Sequence, residues 1–314
     1  MKYGFGVDVG GTAIKLGLFR EDGSLMEKWD IPTRVDETGS QILPDIAAEL
    51  AAAMDRHQFT KDDVLGIGIG VPGPVNDAGL VNRCVNLNWG VFNLHTALGE
   101  LTGLPVKAGN DANVAALGEY YSGGGKGCHS MVLVTLGTGV GGGIIIGGKI
   151  INGAHGVGGE IGHIVVNKDE TEYCTCGKRG CAEQYCSATG IVRTAKKMLA
   201  KGPNVTPLRD KPDFTCKDVF DCAAKGDFIA NQVLDKTYTY MGEFIADVCC
   251  VVDPERVVLG GGVSAAGQVL IDGLMPYFKK YMFHACKDTA FSLAQLGNDA
   301  GIYGAFGLIK GYLM

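Results

Sequence analysis

No stretch of this chain is strongly basic, and no run of about eighteen residues is both uncharged and apolar throughout. The first absence removes the cationic stripe that binding to nucleic acid requires. The second leaves no segment able to span a bilayer as a helix. A secretory leader is not expected either: in the opening "MKYGFGVDVGG", Asp8 interrupts the apolar stretch before a signal-peptide core could form. Low-complexity segments and independent partner modules are also lacking, so the expected location is the cytoplasm. In that reducing compartment, eleven cysteines, an odd number scattered from Cys84 to Cys286, do not suggest a disulfide framework. What is present is ample core material. The chain has 314 residues, 46% of them hydrophobic, and a net charge of −6 from 34 acidic and 28 basic side chains. That length suggests two domains.

Three glycine turns organise the chain. "YGFGVDVGGTAIKLGLF" reads as a strand, a turn at Gly10, Gly11 and Thr12, and a second strand carrying Lys15, with Asp8 at the end of the first. Glycines there let the backbone approach a phosphate, and a nearby aspartate can hold magnesium directly or through water; an ordinary hairpin fits the same spacing. "MVLVTLGTGVGGGIIIGGKI" repeats the plan around Gly137, Thr138 and Gly139. "VVLGGGVS" places a third turn before a helix expected after Ser264. This recurrence suggests one nucleotide held by two related α/β halves. Two simpler signatures fail. Gly143 to Lys149 fits G-x-x-x-x-G-K, but Ile150 stands where Ser or Thr is required. The G-x-G-x-x-G matches at 137–142 and 68–73 are weak in so glycine-rich a chain, and Pro72 interrupts the second.

"CTCGKRGCAEQ" places Cys174, Cys176 and Cys181 within eight residues and separates them with glycines. Three thiolates in a short flexible loop suit zinc, which takes four ligands tetrahedrally. The nearest candidate for the fourth is His163 in "GGEIGH". In "PVKAGNDANVAAL", Asn110, Asp111 and Asn113 precede an alanine-rich run, so Asp111 reads either as a helix cap or as a carboxylate that accepts a proton from a substrate hydroxyl. Helices are expected over "DETGSQILPDIAAELAAAMDRH", "SATGIVRTAKKMLAKG", "CKDVFDCAAKGD", the long "FIANQVLDKTYTYMGEFIADVCCVVDP" with Cys249 and Cys250 in its core face, and the final "DAGIYGAFGLIKGYL". "VLGIGIGVPGPV" is a buried strand entering a turn at Pro72, and "NVTPLRDKPDFT" is a surface loop.

The ordered set "DVGGTAIK", "GVPGPV", "NLNW", "GNDANVAALGE", "LGTGVGGG", "GGEIGH", "CTCGKRGCAEQ" and "LGGGVS" runs through nearly the whole chain. It resembles the ROK group of bacterial sugar kinases and sugar-responsive repressors, most closely its glucokinases. The resemblance implies an α/β, actin-like or hexokinase-like (ribonuclease H-like) fold of two domains around a cleft, with 1–116 plus 299–314 in one and 117–298 in the other. It implies ATP-dependent phosphorylation of glucose at the 6-hydroxyl, with N-acetylmannosamine, fructose or allose as alternative acceptors.

Carried onto this sequence, Asp111 is the general base, and Asn110, Glu160, His163 and Glu183 bind sugar hydroxyls with Gly73 and Asn86 nearby. Asp8, Gly10, Gly11, Thr12, Lys15, Thr138, Gly139, Gly261 and Gly262 fall where the family grips ATP and Mg2+. A structural Zn2+ on His163, Cys174, Cys176 and Cys181 would fix the loop between the sugar-binding flanks, the histidine ligating through one ring nitrogen and meeting a sugar hydroxyl with the other. Relatives in the group are commonly homodimers or homotetramers. The repressors carry a helix-turn-helix domain ahead of the first glycine turn; that turn begins here at residue 10, which leaves no room for one.

Overall fold

The computed structural model describes residues 1–203 and 205–312. Asn204, which opens the expected surface loop, and positions 313 and 314 at the expected end of the first domain lie outside the described residues. The chain divides into two compact units, 1–129 with 143–159 and 295–314 in the first, and 130–142 with 160–294 in the second.

In the first unit, β1 (Tyr3–Val9) and β2 (Ala13–Arg20) pair antiparallel across the glycine turn, in a register that sets Asp8 opposite Lys15. The strand β3 (Leu25–Pro32) continues the meander. The helix α1 (Ile42–His57) buries Ile42, Ile46, Leu50 and Ala53, a stripe at helical spacing. It stops at Gln58, whose φ of 58° is left-handed. β4 (Val64–Val71) alternates glycine with Ile67, Ile69 and Val71. Its glycine face has a steric cause: a Cβ on Gly68 would collide with the carbonyl of Ala305 in the C-terminal helix. A short ribbon of β5 (Leu80–Val81) and β6 (Phe92–Asn93) leads to α2 (Leu94–Thr102), which Asn93 caps. Then follow β7 (Val106–Asn110) and α3 (Asp111–Ser122). The sheet order is β3-β2-β1-β4-β7, with β1, β4 and β7 parallel.

The second sheet has β8 (Ser130–Leu136), β9 (Val140–Ile146) and β10 (Lys149–Ile150), then, after the helices, β11 (Arg256–Gly260) and β12 (Ala290–Leu293). Its order, β10-β9-β8-β11-β12, repeats the first sheet's third-second-first-fourth-fifth pattern. Between them come α4 (Glu183–Cys186), α5 (Ala188–Ala200), α6 (Cys216–Ala224), the 25-residue α7 (Phe228–Val252) and α8 (Gln268–Tyr281). The chain ends in α9 (Ala300–Tyr312), whose Ile302, Ala305, Phe306 and Ile309 are buried.

Three details refine the sequence reading. The boundary expected after residue 116 falls inside the continuous helix α3, because α3 packs along α9 so closely that a Cβ on Gly304 would strike the Val114 carbonyl. The helix expected after Ser264 begins at Gln268, with a 3-10 turn over Gly262–Ala266 before it. Cys249 is buried as expected, whereas Cys250, the next residue of α7, is exposed. Among the described residues, no helix is long and apolar enough to cross a membrane.

Candidate functional site

The residues singled out from the sequence fall into two clusters, one in each unit. In the first unit, Asp8, the last residue but one of β1, is partly buried, with Lys15 Nζ 3.7 Å from its carboxylate. Burial raises the Asp8 carboxyl above its ordinary value of 3.8, against the lowering pull of Lys15. Lys15 also donates to the Asn298 carbonyl at 3.0 Å. The turn itself is braced by Gly10 N–H to the Ala13 carbonyl, 3.0 Å, and by the Thr33 hydroxyl donating to the Gly10 carbonyl, 2.7 Å. Gly11 and Thr12 stay exposed at its tip.

At the other parallel edge of that sheet, the cap of α3 is Asn110, not Asp111. The Asn110 side-chain oxygen accepts from the backbone N–H groups of Ala112 (3.0 Å) and Asn113 (3.2 Å), which satisfies two of the orphan donors of the first turn. Asp111 is therefore the first helical residue, at the end of β7, where the helix dipole favours its negative charge. The Asn110 amide donates to the Gly73 carbonyl at 3.3 Å, which draws the "GVPGPV" turn to the same place. Cys84 lies there too: burial, with the charge of Asp111 added, pushes its thiol up to about 11. Asn86 follows in a 3-10 turn over Val85–Leu87 and is exposed.

In the second unit, one potential ligand atom from each of His163, Cys174, Cys176 and Cys181 lies within 4.8 Å of the other three. Cys176 and Cys181 Sγ are 3.6 Å apart, and Cys174 Sγ is 3.7 Å from His163 Nδ1. A tetrahedron with metal–sulfur bonds of about 2.3 Å has an edge of about 3.8 Å, so these spacings fit a zinc-sized ion. Burial first, and then the neighbouring thiols Cys176 and Cys174, push Cys181 up to about 12. A cluster of this kind holds several thiolates only around a cation. His163 turns Nδ1 to the thiols and Nε2 toward Glu160, 3.8 Å away. Glu160 is well exposed, its side chain at 58%.

Glu183, the first residue of α4, is held from two sides. One carboxylate oxygen accepts from the Val140 backbone N–H at 3.0 Å; the other faces Cys174 Sγ at 3.5 Å and the Thr175 hydroxyl at 3.4 Å. Its approach explains Gly139, since a Cβ there would strike that carboxylate. Gly261, at φ 79°, lies against the backbone of Leu136, where a Cβ would fall 2.6 Å from the carbonyl carbon. Thr138, Gly139, Gly261 and Gly262 are thus brought together.

Two further features escaped the sequence. Gln184 is buried, and its side-chain oxygen accepts from Gly180 N–H (2.8 Å) and Cys181 N–H (3.2 Å) while its amide donates to the Glu172 carbonyl (3.0 Å), cross-bracing the cysteine loop. The only signal was its place beside Glu183 in the motif. A cavity of about 400 Å³ opens next to Gly262, lined also by Val263, Ala188, Thr215, Cys216 and Lys217. Its residues come from three separate stretches of chain, so no local pattern announces it.

The ROK family model matches residues 4–312. A glucokinase from Halalkalibacterium halodurans is 43% identical over 97% of this chain and 94% of its own. An N-acetylmannosamine kinase from Escherichia coli O157:H7 is 31% identical, covering 97% of each chain. Among solved structures, a ROK family glucokinase from Streptomyces griseus in complex with glucose and AMPPNP is 34% identical, with a TM-score of 0.73 over 98% of both chains. Two sheets of one strand order, three glycine turns and a match along nearly the whole length identify the chain as a member of the ROK family.

Proposed function

We propose that this protein, an ATP-dependent hexose kinase of the ROK family, phosphorylates glucose at its 6-hydroxyl. The choice of glucose is carried by the 43% identity to a glucokinase along 97% of the chain. Asp111 acts as general base, taking the proton of the attacking hydroxyl, while Asn110 is held by its capping bonds in position for a sugar hydroxyl. Gly73, Asn86, Glu160, His163 and Glu183 bind the remaining hydroxyls. Such polar side chains favour the acceptor that satisfies them, because an analogue lacking a hydroxyl leaves a buried partner unpaired. Asp8, Lys15 and the glycine turns at 10–12, 137–139 and 261–262 bind ATP and its magnesium. The cavity beside Gly262 has the size and apolar floor for the nucleotide's base. The two compact units are taken as the two domains of the kinase, and cytoplasmic residence and a homodimer or homotetramer belong to the same reading.

His163, Cys174, Cys176 and Cys181 would hold zinc, and four protein ligands leave no open position for water, so its contribution would be structural. The chain's own residues then do the chemistry. Backbone N–H groups neutralise phosphate charge, and Asp111 orients the nucleophile.

A coupled assay with ATP and a panel of hexoses tests the assignment. We expect kcat/KM for glucose to exceed that for N-acetylmannosamine, fructose and allose by about ten-fold or more. The second reading, N-acetylmannosamine, is favoured by the 31% identical kinase, and a higher kcat/KM for that sugar would replace glucose with it.

A further inference from the structure

The turn at 137–139 has one side chain, Thr138, and closes on itself through Gly137 N–H donating to the Gly139 carbonyl at 2.9 Å. A glycine turn braced only in this way keeps much of its backbone freedom. Here it is gripped from outside by the segment that follows the cysteine loop. Ala188 N–H donates to the Gly137 carbonyl at 2.8 Å, the Thr189 hydroxyl donates to the Thr138 carbonyl at 2.6 Å, and Glu183 accepts from Val140 N–H at 3.0 Å. The grip is itself anchored: Ser187 caps α5 by accepting from Gly190 N–H at 2.9 Å, donates to the Glu183 carbonyl at 2.7 Å, and lies 3.0 Å from the Thr189 hydroxyl.

A trans peptide is planar, and its C=O and N–H point in opposite directions. A carbonyl of Gly137 held toward α5 therefore turns the N–H of Thr138 away from α5, and a held carbonyl of Thr138 does the same for the N–H of Gly139. We infer that Thr189 is a positioning residue, which with Ala188 N–H aims two consecutive backbone N–H groups of this turn at the nucleotide phosphates. The inference rests on the reading above in which the turn binds ATP. It adds a connection: the segment carrying Glu183 also sets the phosphate-binding backbone, so the cysteine loop bears on ATP as well as on sugar.

Thr189 is exposed, so its replacement leaves the core intact. Thr189→Val keeps the shape and removes the donor. We expect its KM for ATP to rise about 3- to 10-fold, the equivalent of one hydrogen bond, with the KM for sugar moving less than about two-fold. Thr189→Ser should restore the ATP value, and Thr189→Ala should behave as the valine variant does. The second readout is the amide NMR resonances of Thr138 and Gly139 during titration with Mg·ADP. In the unmodified protein both should shift, and in Thr189→Val the shifts should shrink or need more nucleotide. If neither resonance moves in the unmodified protein, the ATP reading of the turn fails. If both move equally in the two proteins and the KM for ATP is unchanged, that reading stands and the role of Thr189 falls.

Discussion

The two units place their candidate polar groups by different means. In the first, Asp8 and Asp111 stand at the ends of parallel strands, and the main chain of the sheet with the first turn of α3 fixes them. In the second, Glu160, His163 and Glu183 sit on a loop and a four-residue helix with little ladder of their own, held by thiols, by Gln184 and by Val140 N–H. A sheet end is rigid whatever it carries, because hydrogen bonds and burial are already in place before the functional side chain is added. A loop needs its own fastening. The difference teaches that substitutions in the first unit should separate activity from stability, whereas those around the cysteine loop should not.

The largest expected effect probes the first half of that contrast. Asp111→Asn should lower kcat by about 10²- to 10⁴-fold while the melting temperature moves by no more than ~2 °C. Steady-state assays with a thermal melt check both, and a parallel loss of stability would break the contrast. Next, Cys181→Ser should reduce bound zinc from about one ion per chain toward none and lower Tm by ~5 °C or more, because a structural ion contributes folding energy. Elemental analysis with calorimetry reads this; an unchanged Tm would make the loop self-supporting.

A smaller test sets the two glycine turns side by side. A Cβ on Gly11 meets nothing within 4 Å, while one on Gly139 strikes Glu183. Gly139→Ala should therefore cost a few degrees of Tm and Gly11→Ala less than ~1 °C. The last effect has the opposite sign. The Asp8 carboxyl is raised above 3.8 by burial, so its ionisation opposes folding: stability from this group is full at low pH and is lost as pH climbs past 3.8 through the folded value. Asp8→Asn should raise Tm at pH 7, and the gain should vanish as pH falls toward 3.8, while use of ATP is impaired. Melts across pH decide it.

Much of the site was legible because its parts are short and chemically loud. The thiols of Cys174, Cys176 and Cys181 lie within eight residues, and Asp8 and Lys15 are paired by a hairpin that the sequence shows directly. Of the two readings of Asp111, the helix cap falls to Asn110, since Asn and Asp compete for that position on type alone and only the bonds to Ala112 and Asn113 decide. Thr189 was invisible, being one threonine in a helix start whose partner lies 51 residues away.

By itself the sequence determined the glycine turns, the alternation of strand and helix, and the donor set of the cysteine loop, because each depends on neighbours along the chain. Tertiary structure alone decided that His163 faces the thiols through Nδ1, that Gly139 makes room for Glu183, and that α5 grips the turn beneath it. These depend on which carbonyl, N–H or ring nitrogen meets which partner across many residues, and only a fully packed backbone fixes such directions.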